Sequence, residues 1–249
     1  MAASSAVLLR PRLTTLPHIQ AGFSTRHGGV STGAYNSLNL GLSTEDTADH
    51  VQTNRQHFAD ALGFSANQMA IAGQVHSSTV RVVDEPGLYR GVDGLVTATP
   101  GVLLSISAAD CASVLFADPE AQVVGACHAG WRGTVAEIAP KTIAEMVRLG
   151  AQAEHIHAYI SPCISLANFE IGEEVAAHFD EAFVDRSYPK PHADIKGTLL
   201  AQLNQAEIPD AHIEVSPHCT FGEVDAFFSH RAERGITGRM MGGIGLTGR

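Results

Sequence analysis

The chain has 249 residues, of which 45% are hydrophobic and 17% are charged, an ordinary composition for a globular protein with a substantial core. Its formal net charge of -10 argues against a nucleic-acid-binding surface or an anionic membrane face, although a few local arginines can still hold a small anion. No apolar run approaches a membrane span, and the amino-terminal segment lacks the features of a signal peptide.

These properties predict a cytoplasmic protein, and the cysteine content agrees with that location. The four cysteines are too few for a secreted disulfide framework, so we expect free or metal-bound thiols in a reducing compartment. The sequence contains no internal repeat, low-complexity tract or long linker. A single domain over residues 1–249 is therefore expected, as a monomer or weak homodimer.

The first predicted elements are an edge strand within residues 1–20, with turns marked by proline, and a glycine-rich loop at residues 22–41. Arg26 heads this loop and Asn39 lies near its end. Glycines let backbone amides approach a ligand closely, and amides together with an arginine could hold an anion, but composition alone favours an ordinary loop.

A helix and a strand are predicted next. Apolar residues at helical spacing predict an amphipathic helix over residues 47–62. Residues 71–83 alternate in part and predict a strand that carries His76. Residues 92–97 predict a turn entering another strand, where Asp93 could hold the turn or orient a histidine.

Three short apolar runs in the centre of the chain, 102–106, 112–116 and 123–127, predict buried strands. A turn at 118–119 fits between the second and the third. Cys111 stands at the start of one strand and His128 at the end of the next, so antiparallel pairing would bring the thiol and the imidazole together. Such a pair suits either zinc binding or thiol nucleophile chemistry, whereas a simple buried cysteine is the alternative.

The segment after His128 predicts a helix from Thr134 to Leu149, because Thr134 and Glu137 fit a capping box, with a kink or restart at Pro140. Arg132 would then stand at the helix amino terminus, where amides and a guanidinium favour an anion.

The remaining elements are strands at 156–161 and 212–215, helices at 173–184 and 194–205, and a final hairpin formed by 227–231 and 239–246. Strands and helices are mixed without regular alternation, which argues against a simple parallel doubly wound sheet.

Several segments together resemble one family. The matching motifs are Phe23-Ser-Thr-Arg26 with Gly28-Gly29-Val-Ser, Ser37-Leu-Asn39-Leu, Gln74-Val-His76, Ala109-Asp110-Cys111, His128-Ala-Gly-Trp131-Arg132-Gly-Thr134, Cys219-Thr, Phe228-Ser-His-Arg231 and Thr237-Gly-Arg239-Met. Their pattern resembles the bacterial laccase-domain (YfiH-like) family, described as zinc-containing purine nucleoside phosphorylases with adenosine deaminase activity.

The resemblance implies an α+β (mixed α/β) fold with two central mixed sheets flanked by helices. It also implies one zinc per chain on His76, Cys111 and His128, with copper as the weaker alternative. A three-ligand site leaves a position for water or substrate.

The remaining functional residues are expected around these ligands. Cys111 and His128 are catalytic candidates, together with Asp93 or Asp110 as the acid/base carboxylate that deamination requires. Arg26, Asn39 and Arg132 are predicted to bind nucleoside or phosphate.

One departure is that Ala167 and Asn168 stand where family members often carry adjacent cysteines, which weakens a redox or second-metal role there. Three other functions stay open: a metal-free thiol hydrolase that uses Cys111 and His128, a copper polyphenol oxidase, and a non-catalytic module with a closed structural zinc.

Overall fold

The computed structural model describes residues 6–248, so part of the strand predicted within residues 1–20 lies outside the described residues. The strands are β1 (Leu8–Leu9), β2 (Ile19–Ser24), β3 (Met69–Ala72), β4 (Val80–Val82), β5 (Gly87–Tyr89), β6 (Gly94–Thr97), β7 (Leu103–Ala108), β8 (Ala112–Asp118), β9 (Val123–Ala129), β10 (His157–Ile160), β11 (Val184–Asp185), β12 (His192–Ala193), β13 (Ile213–Val215) and β14 (Met240–Leu246). The α-helices are α1 (Ala48–Ala61), α2 (Trp131–Val135), α3 (Ile138–Arg148), α4 (Glu173–Ala176) and α5 (Ile195–Gln205).

Two six-stranded sheets form the centre of the fold. The first sheet has the order β1-β2-β14-β7-β3-β5 and the second has the order β13-β10-β8-β9-β6-β4. Both are mixed, because β3 runs parallel to β5 and β7, and β4 and β13 run parallel to β6 and β10, whereas the other pairs are antiparallel. A separate two-stranded ribbon joins β11 and β12.

Successive side chains of β8 point alternately into two different cores, which explains how the layers are stacked. Val114 and Phe116 belong to a core shared with α3 and α5, whereas Leu115 and Ala117 belong to a core that contains residues of both sheets. Successive side chains of a strand point to opposite faces, so the second sheet is covered on both sides. A third core packs α1 against β7 and β14 of the first sheet. These layers confirm the predicted mixed fold with two sheets flanked by helices.

Most local predictions are confirmed. β8 and β9 pair antiparallel with Ser113 opposite His128, as the apolar runs and the intervening turn predicted. Helices α1 and α5 match the predictions for 47–62 and 194–205, and β6, β10 and β13 match three predicted strands.

The predicted strand at 71–83 is wrong in its middle. The chain leaves the first sheet after Ala72 and enters the second at Val80. Between them, Gln74 and His76 have positive φ angles of 35° and 59°, which break an extended conformation. His76 therefore lies in a connection between the two sheets.

The predicted helix from Thr134 to Leu149 is two helices. Glu137 has a left-handed conformation with φ of 59°, so α2 ends before it and α3 begins after it. The capping box does not form, because Thr134 lies within α2. Pro140 is the third residue of α3, where no intrahelical N–H donor is needed, and the break comes before it.

Two further predictions are wrong. The helix expected at 173–184 stops at Ala176, and Asp180 instead caps a 3₁₀ turn by accepting from the Ala182 amide at 2.9 Å. The final hairpin does not form, because β14 pairs with β2 and β7 inside the first sheet. Residues 227–231 form no strand.

Candidate metal centre and active site

Three side chains, two from connections and one from a strand, meet at one edge of the two sheets. The possible ligand atoms of His76, Cys111 and His128 all lie within 4.8 Å of one another. His128 is the penultimate residue of β9, and Cys111 immediately precedes β8 in the connection from the first sheet. Antiparallel pairing of β8 and β9 brings these two together, as predicted, and the β3–β4 connection brings His76.

Gly130 makes this close approach possible. A Cβ atom at Gly130 would lie 2.8 Å from Cys111 Sγ and 3.2 Å from His76 Cδ2. Any side chain at this position would therefore push two of the three possible ligands aside.

Asp93 holds the ring of His128 and the backbone around His76 in place through hydrogen bonds. Its carboxylate is buried and lies 2.9 Å from His128 Nδ1, and it also accepts hydrogen bonds from the amides of Val75, His76 and Ser77. Ser77 Oγ donates a further bond at 2.8 Å. With Nδ1 held by Asp93, the Nε2 atom of His128 is the one left to act as a ligand, an arrangement typical of metal-binding histidines.

Burial disfavours the charge of Asp93, but the bonds from His128, Ser77 and Val75 outweigh it and hold the pKa of Asp93 well below its usual range. Asp93 is therefore an orienting anion at neutral pH. Because its two oxygens already accept five hydrogen bonds, its geometry favours positioning over proton transfer.

The electrostatics of the cluster favour a thiolate. Burial raises the pKa of Cys111, but the charges and hydrogen bonds of His128 and His76 outweigh it and lower that pKa to about 6. Burial likewise lowers the pKa of His128, but Cys111 and Asp93 outweigh it and raise that pKa to about 9. The thiolate is the form of cysteine that binds metal or attacks an electrophile.

Asp110 stabilises the loops around the cluster. It has a positive φ of 80°, and its Oδ1 accepts from the hydroxyls of Thr220 and Ser229, both at 2.7 Å. Its Oδ2 accepts from the Arg231 amide at 2.7 Å. Asp110 lines the cavity beside the cluster, but these bonds show a loop-anchoring carboxylate, and its acid/base role stays a prediction.

The cluster opens into a cavity of about 760 Å³. Among the described residues, five arginines line it, Arg55, Arg90, Arg132, Arg231 and Arg239, and Asp110 is the only carboxylate in the lining. Apolar side chains complete the wall, including Ile71, Leu88, Trp131, Ile164 and Phe169. A positive cavity with apolar walls is suited to an organic ligand accompanied by an anion.

Of the residues predicted to bind substrate, only Arg132 lines this cavity. It lies in α2 with its guanidinium 4.3 Å from the centre of the Trp131 ring. Arg26 instead forms an ion pair with Glu233 at 3.3 Å and donates to the carbonyl of Val224. Asn39 is fully buried and bonds to its own loop.

Sequence reasoning missed four of the cavity arginines. Arg231 and Arg239 stood within motifs that carried the family resemblance, and this was the one signal that could have identified them. Arg55 and Arg90 lie in a helix and a connection without any recognisable motif.

The departure at Ala167 and Asn168 changes the surroundings of another cysteine. Asn168 Nδ2 lies 3.4 Å from Cys219 Sγ, which also accepts from the amide and hydroxyl of Ser165. Asn168 thus takes part in the hydrogen bonds that surround the Cys219 thiol. Within residues 6–248, the only group of three or more potential metal ligands is His76, Cys111 and His128.

The donor set of the cluster fits zinc. Two imidazoles and one thiolate are ligands that Zn²⁺ prefers, and three protein ligands with access to a cavity are typical of a catalytic site. No helix within the described part of the chain is long and apolar enough to cross a membrane.

The fold and this nitrogen–sulfur cluster together define a candidate metalloenzyme centre of the catalytic kind. The chain belongs to the family described as multi-copper polyphenol oxidoreductase laccase, which residues 20–247 match.

Relatives and solved structures agree with this membership. The chain is 45% identical over 250 residues to a protein of Deinococcus radiodurans named purine nucleoside phosphorylase, with 99% of this chain and 95% of the relative covered. It is 35% identical over 241 residues to a protein of an unknown prokaryotic organism named adenosine deaminase RL5, with 89% and 92% covered. The crystal structure of YlmD from Geobacillus stearothermophilus superposes with a TM-score of 0.91 at 33% identity, with 97% and 96% covered.

Proposed function

We propose that this protein is a zinc-dependent purine nucleoside enzyme. Its reactions would be phosphorolysis of adenosine, inosine and methylthioadenosine, and deamination of adenosine to inosine. The names of the two relatives support the substrate class. The observation that carries the proposal is the His76, Cys111 and His128 cluster, which opens into a cavity lined by arginines and apolar side chains.

The residues of the chain would hold and orient the metal. His76, Cys111 and His128 would bind one zinc, and Asp93 would keep His128 in the tautomer that presents Nε2. When bound, zinc would supply Lewis acidity at the open side of the cluster.

The two reactions place different demands on the cavity. In phosphorolysis a phosphate oxygen forms a bond to C1′ of the ribose while the bond from C1′ to the purine breaks. The purine keeps the electron pair and takes up a proton. In deamination water adds at C6 of adenosine and ammonia leaves. Arg132, which makes no ion pair within residues 6–248, would contribute to phosphate binding, whereas Arg26 lies outside this cavity and is a weaker candidate.

The metal-free thiol hydrolase is kept as a second candidate because Cys111, His128 and Asp93 have the order of a nucleophile, a base and an orienting acid. This alternative gives no role to His76, which lies beside the other two. It predicts activity that survives chelation and the loss of His76.

Copper is the weaker metal candidate despite the family description. Several copper centres would need several groups of ligands, and the described residues bring together one. We further propose that residues 1–249 form one domain of this family. Cytoplasmic location and a monomeric or weakly dimeric state stay predictions.

A product assay tests the proposal. The purified protein is incubated with adenosine, with and without phosphate, and the products are separated by chromatography. We expect inosine in both reactions, and free base with ribose 1-phosphate only when phosphate is present. If neither product exceeds that of a chelator-treated control, the proposed function is rejected.

A further inference from the structure

The cavity holds an excess of positive charge that the protein itself does not neutralise. Among the described residues, none of the five arginines that line it forms an ion pair with a carboxylate. Elsewhere in the chain such pairs do occur, as between Arg186 and Glu173 or Arg26 and Glu233. This distribution is unusual in a chain with a formal charge of -10, and it indicates that the cavity accepts an anion.

Two of these arginines are held by one short loop, residues 39–41. Arg55 donates to the carbonyl of Leu40 through Nε at 3.0 Å and through a terminal nitrogen at 2.8 Å. The Leu40 amide in turn donates to the carbonyl of Arg239 at 3.0 Å. Leu40 therefore joins the guanidinium of one arginine to the backbone of the other.

The neighbours of Leu40 fix Arg239 further. Asn39 Oδ1 accepts from the Arg239 amide at 2.9 Å and from the Gly41 amide at 3.0 Å. A Cβ atom at Gly41 would lie 2.6 Å from Arg239 Cγ, so the stem of the arginine packs directly on the glycine. Only a glycine at this position leaves room for that stem.

Loop 39–41 is itself held in place by hydrogen bonds to neighbouring residues. Asn39 Nδ2 donates to Thr44 Oγ1 at 2.9 Å and to Asp46 Oδ2 at 3.0 Å, and Asn54 donates to the Asn39 carbonyl at 2.9 Å. A ligand that binds both arginines would thus meet groups already fixed, which reduces the entropy cost of binding.

We propose that Arg55 and Arg239, held together by loop 39–41, form the binding subsite for inorganic phosphate in this cavity. Guanidinium groups present planar, paired donors that match the oxygens of phosphate. The proposal rests on the proposed function in taking phosphate as a substrate. Asn39 is then a positioning residue that acts through Arg239.

The electrostatics agree with this assignment. Burial lowers the pKa of Arg55 to about 10, so its guanidinium remains charged at neutral pH although no carboxylate among the described residues neutralises it. Burial also lowers the pKa of Arg239, and the charges of Asp110 and Cys111 partly offset this effect. Arg239 and the cluster residues line the same cavity, as a phosphate subsite beside the cluster requires.

Calorimetric titration with inorganic phosphate tests the subsite directly. The proteins compared are the wild type, Arg239→Gln, Arg55→Gln and the control Arg148→Gln, which removes the same charge from an exposed helix end. We expect the dissociation constant for phosphate to rise roughly tenfold to a hundredfold in the first two variants and to stay within about twofold in the control. Thermal melting of each variant establishes that it is folded.

Lysine variants keep the test decisive if a glutamine variant fails to fold. Arg239→Lys keeps the charge and the stem but loses the paired donors, so weaker phosphate binding supports the subsite and unchanged binding overturns it. The same subsite is overturned if folded Arg239→Gln binds phosphate as the wild type does, or if the wild type does not bind phosphate.

The two proposals fail in distinguishable ways. Phosphate binding that depends on Arg239, in a protein that neither releases base from nucleosides nor deaminates adenosine, would support the subsite and reject the proposed function. Phosphate-dependent release of base that is unchanged in Arg239→Gln would support the function and overturn the subsite.

Discussion

At the scale of single residues, the site depends on one buried carboxylate. Asp93 accepts hydrogen bonds from three successive amides of the connection that carries His76, and it also orients His128. Two of the three possible ligands therefore depend on Asp93, although it is not itself part of the cluster. The sequence suggested that Asp93 either holds its own turn or orients a histidine; the structure shows the second role, and the backbone that Asp93 holds is that of residues 75–77.

Replacing Asp93 by asparagine should lower the zinc affinity of the site while leaving the volume of the side chain almost unchanged. The amide cannot accept all five hydrogen bonds and no longer balances the charge of His128. We expect zinc affinity to fall about tenfold to a hundredfold, as for other second-layer partners of metal-binding histidines, and the free energy of unfolding to fall by about 3 kcal/mol. Chelator competition and urea unfolding measure the two effects. Unchanged zinc affinity would show that Asp93 does not position the ligands.

Gly130→Ala should disturb the cluster through steric contact alone. The added methyl group would lie 2.8 Å from Cys111 Sγ, closer than a real contact allows. We expect substoichiometric zinc in this variant, measured by metal analysis of the purified protein. Gly222→Ala is the matched control, because a Cβ there would meet its neighbours only at 3.9 Å. Equal zinc in the two variants would contradict the close approach at Gly130.

The pKa of Cys111 predicts how the metal-free protein reacts with pH. Because that pKa is lowered to about 6, the thiol is protonated below this pH and is a thiolate above it. We expect alkylation of Cys111 by iodoacetamide to rise with pH to a midpoint near 6, and stoichiometric zinc to suppress it. Mass spectrometry resolves each cysteine, and Cys127 should stay unmodified since burial raises its pKa to about 12. A Cys111 midpoint above pH 8 would contradict the charged pair with His128.

At the scale of elements, sequence patterns correctly predicted those helices and strand pairs that contacts between nearby residues determine. The pairing of β8 with β9 follows from two apolar runs and a tight turn, and α1 and α5 follow from helical spacing and clear ends. The position of β14 could not be predicted in this way. It lies between β2 and β7, which are distant in sequence, and its glycines pack against Phe58 and Phe64.

The conformations of the connections that carry the site residues could not be predicted from the local sequence either. Asp110 binds Thr220 and Ser229, more than 100 residues later in the chain, and residues 227–231 form no strand although the apolar residues near Phe228 suggested one. The same holds for His76, whose backbone conformation is set by Asp93. Both carboxylates were recognised as significant in the sequence, but the partners that define their roles were not.

The break between α2 and α3 leads to a stability prediction. Glu137 is exposed and has φ of 59°, a conformation that glycine adopts without strain. Glu137→Gly should therefore raise the free energy of unfolding by roughly 0.5–1 kcal/mol, measured by urea denaturation. Ala144→Gly, at an exposed position inside α3, should lower it by about 1 kcal/mol. If both variants were equally destabilised, residues 134–148 would behave as one continuous helix.

At the scale of the whole molecule, the distribution of charge separates the surface from the cavity. The chain carries a formal charge of -10, yet five arginines converge around a cavity that contains one carboxylate. The composition left room for a few arginines to hold an anion, but it could not identify the arginines that line this cavity. Of the three residues first predicted to bind substrate, Arg132 alone lines the cavity, and the fold supplies the other four arginines from α1 and from the β5–β6 and β13–β14 connections.

The two sheets explain why the site lies where it does. The connections β3–β4 and β7–β8 both cross from the first sheet to the second, and both pass the end of β9. Each crossing contributes one possible ligand, and β9 contributes the third. The candidate metal centre thus lies where the chain crosses between the two sheets, and its integrity should depend on the two sheets remaining packed.

The measurement that tests the central claim most directly is a zinc titration of the metal-free protein, followed by product formation from adenosine and phosphate. The account predicts that inosine, free base and ribose 1-phosphate increase in proportion to bound zinc up to one equivalent per chain. His76→Ala, tested beside the wild type, should bind little zinc and form little product at the same concentrations. Full turnover by the zinc-free wild-type protein, or undiminished zinc binding by His76→Ala, would contradict the account.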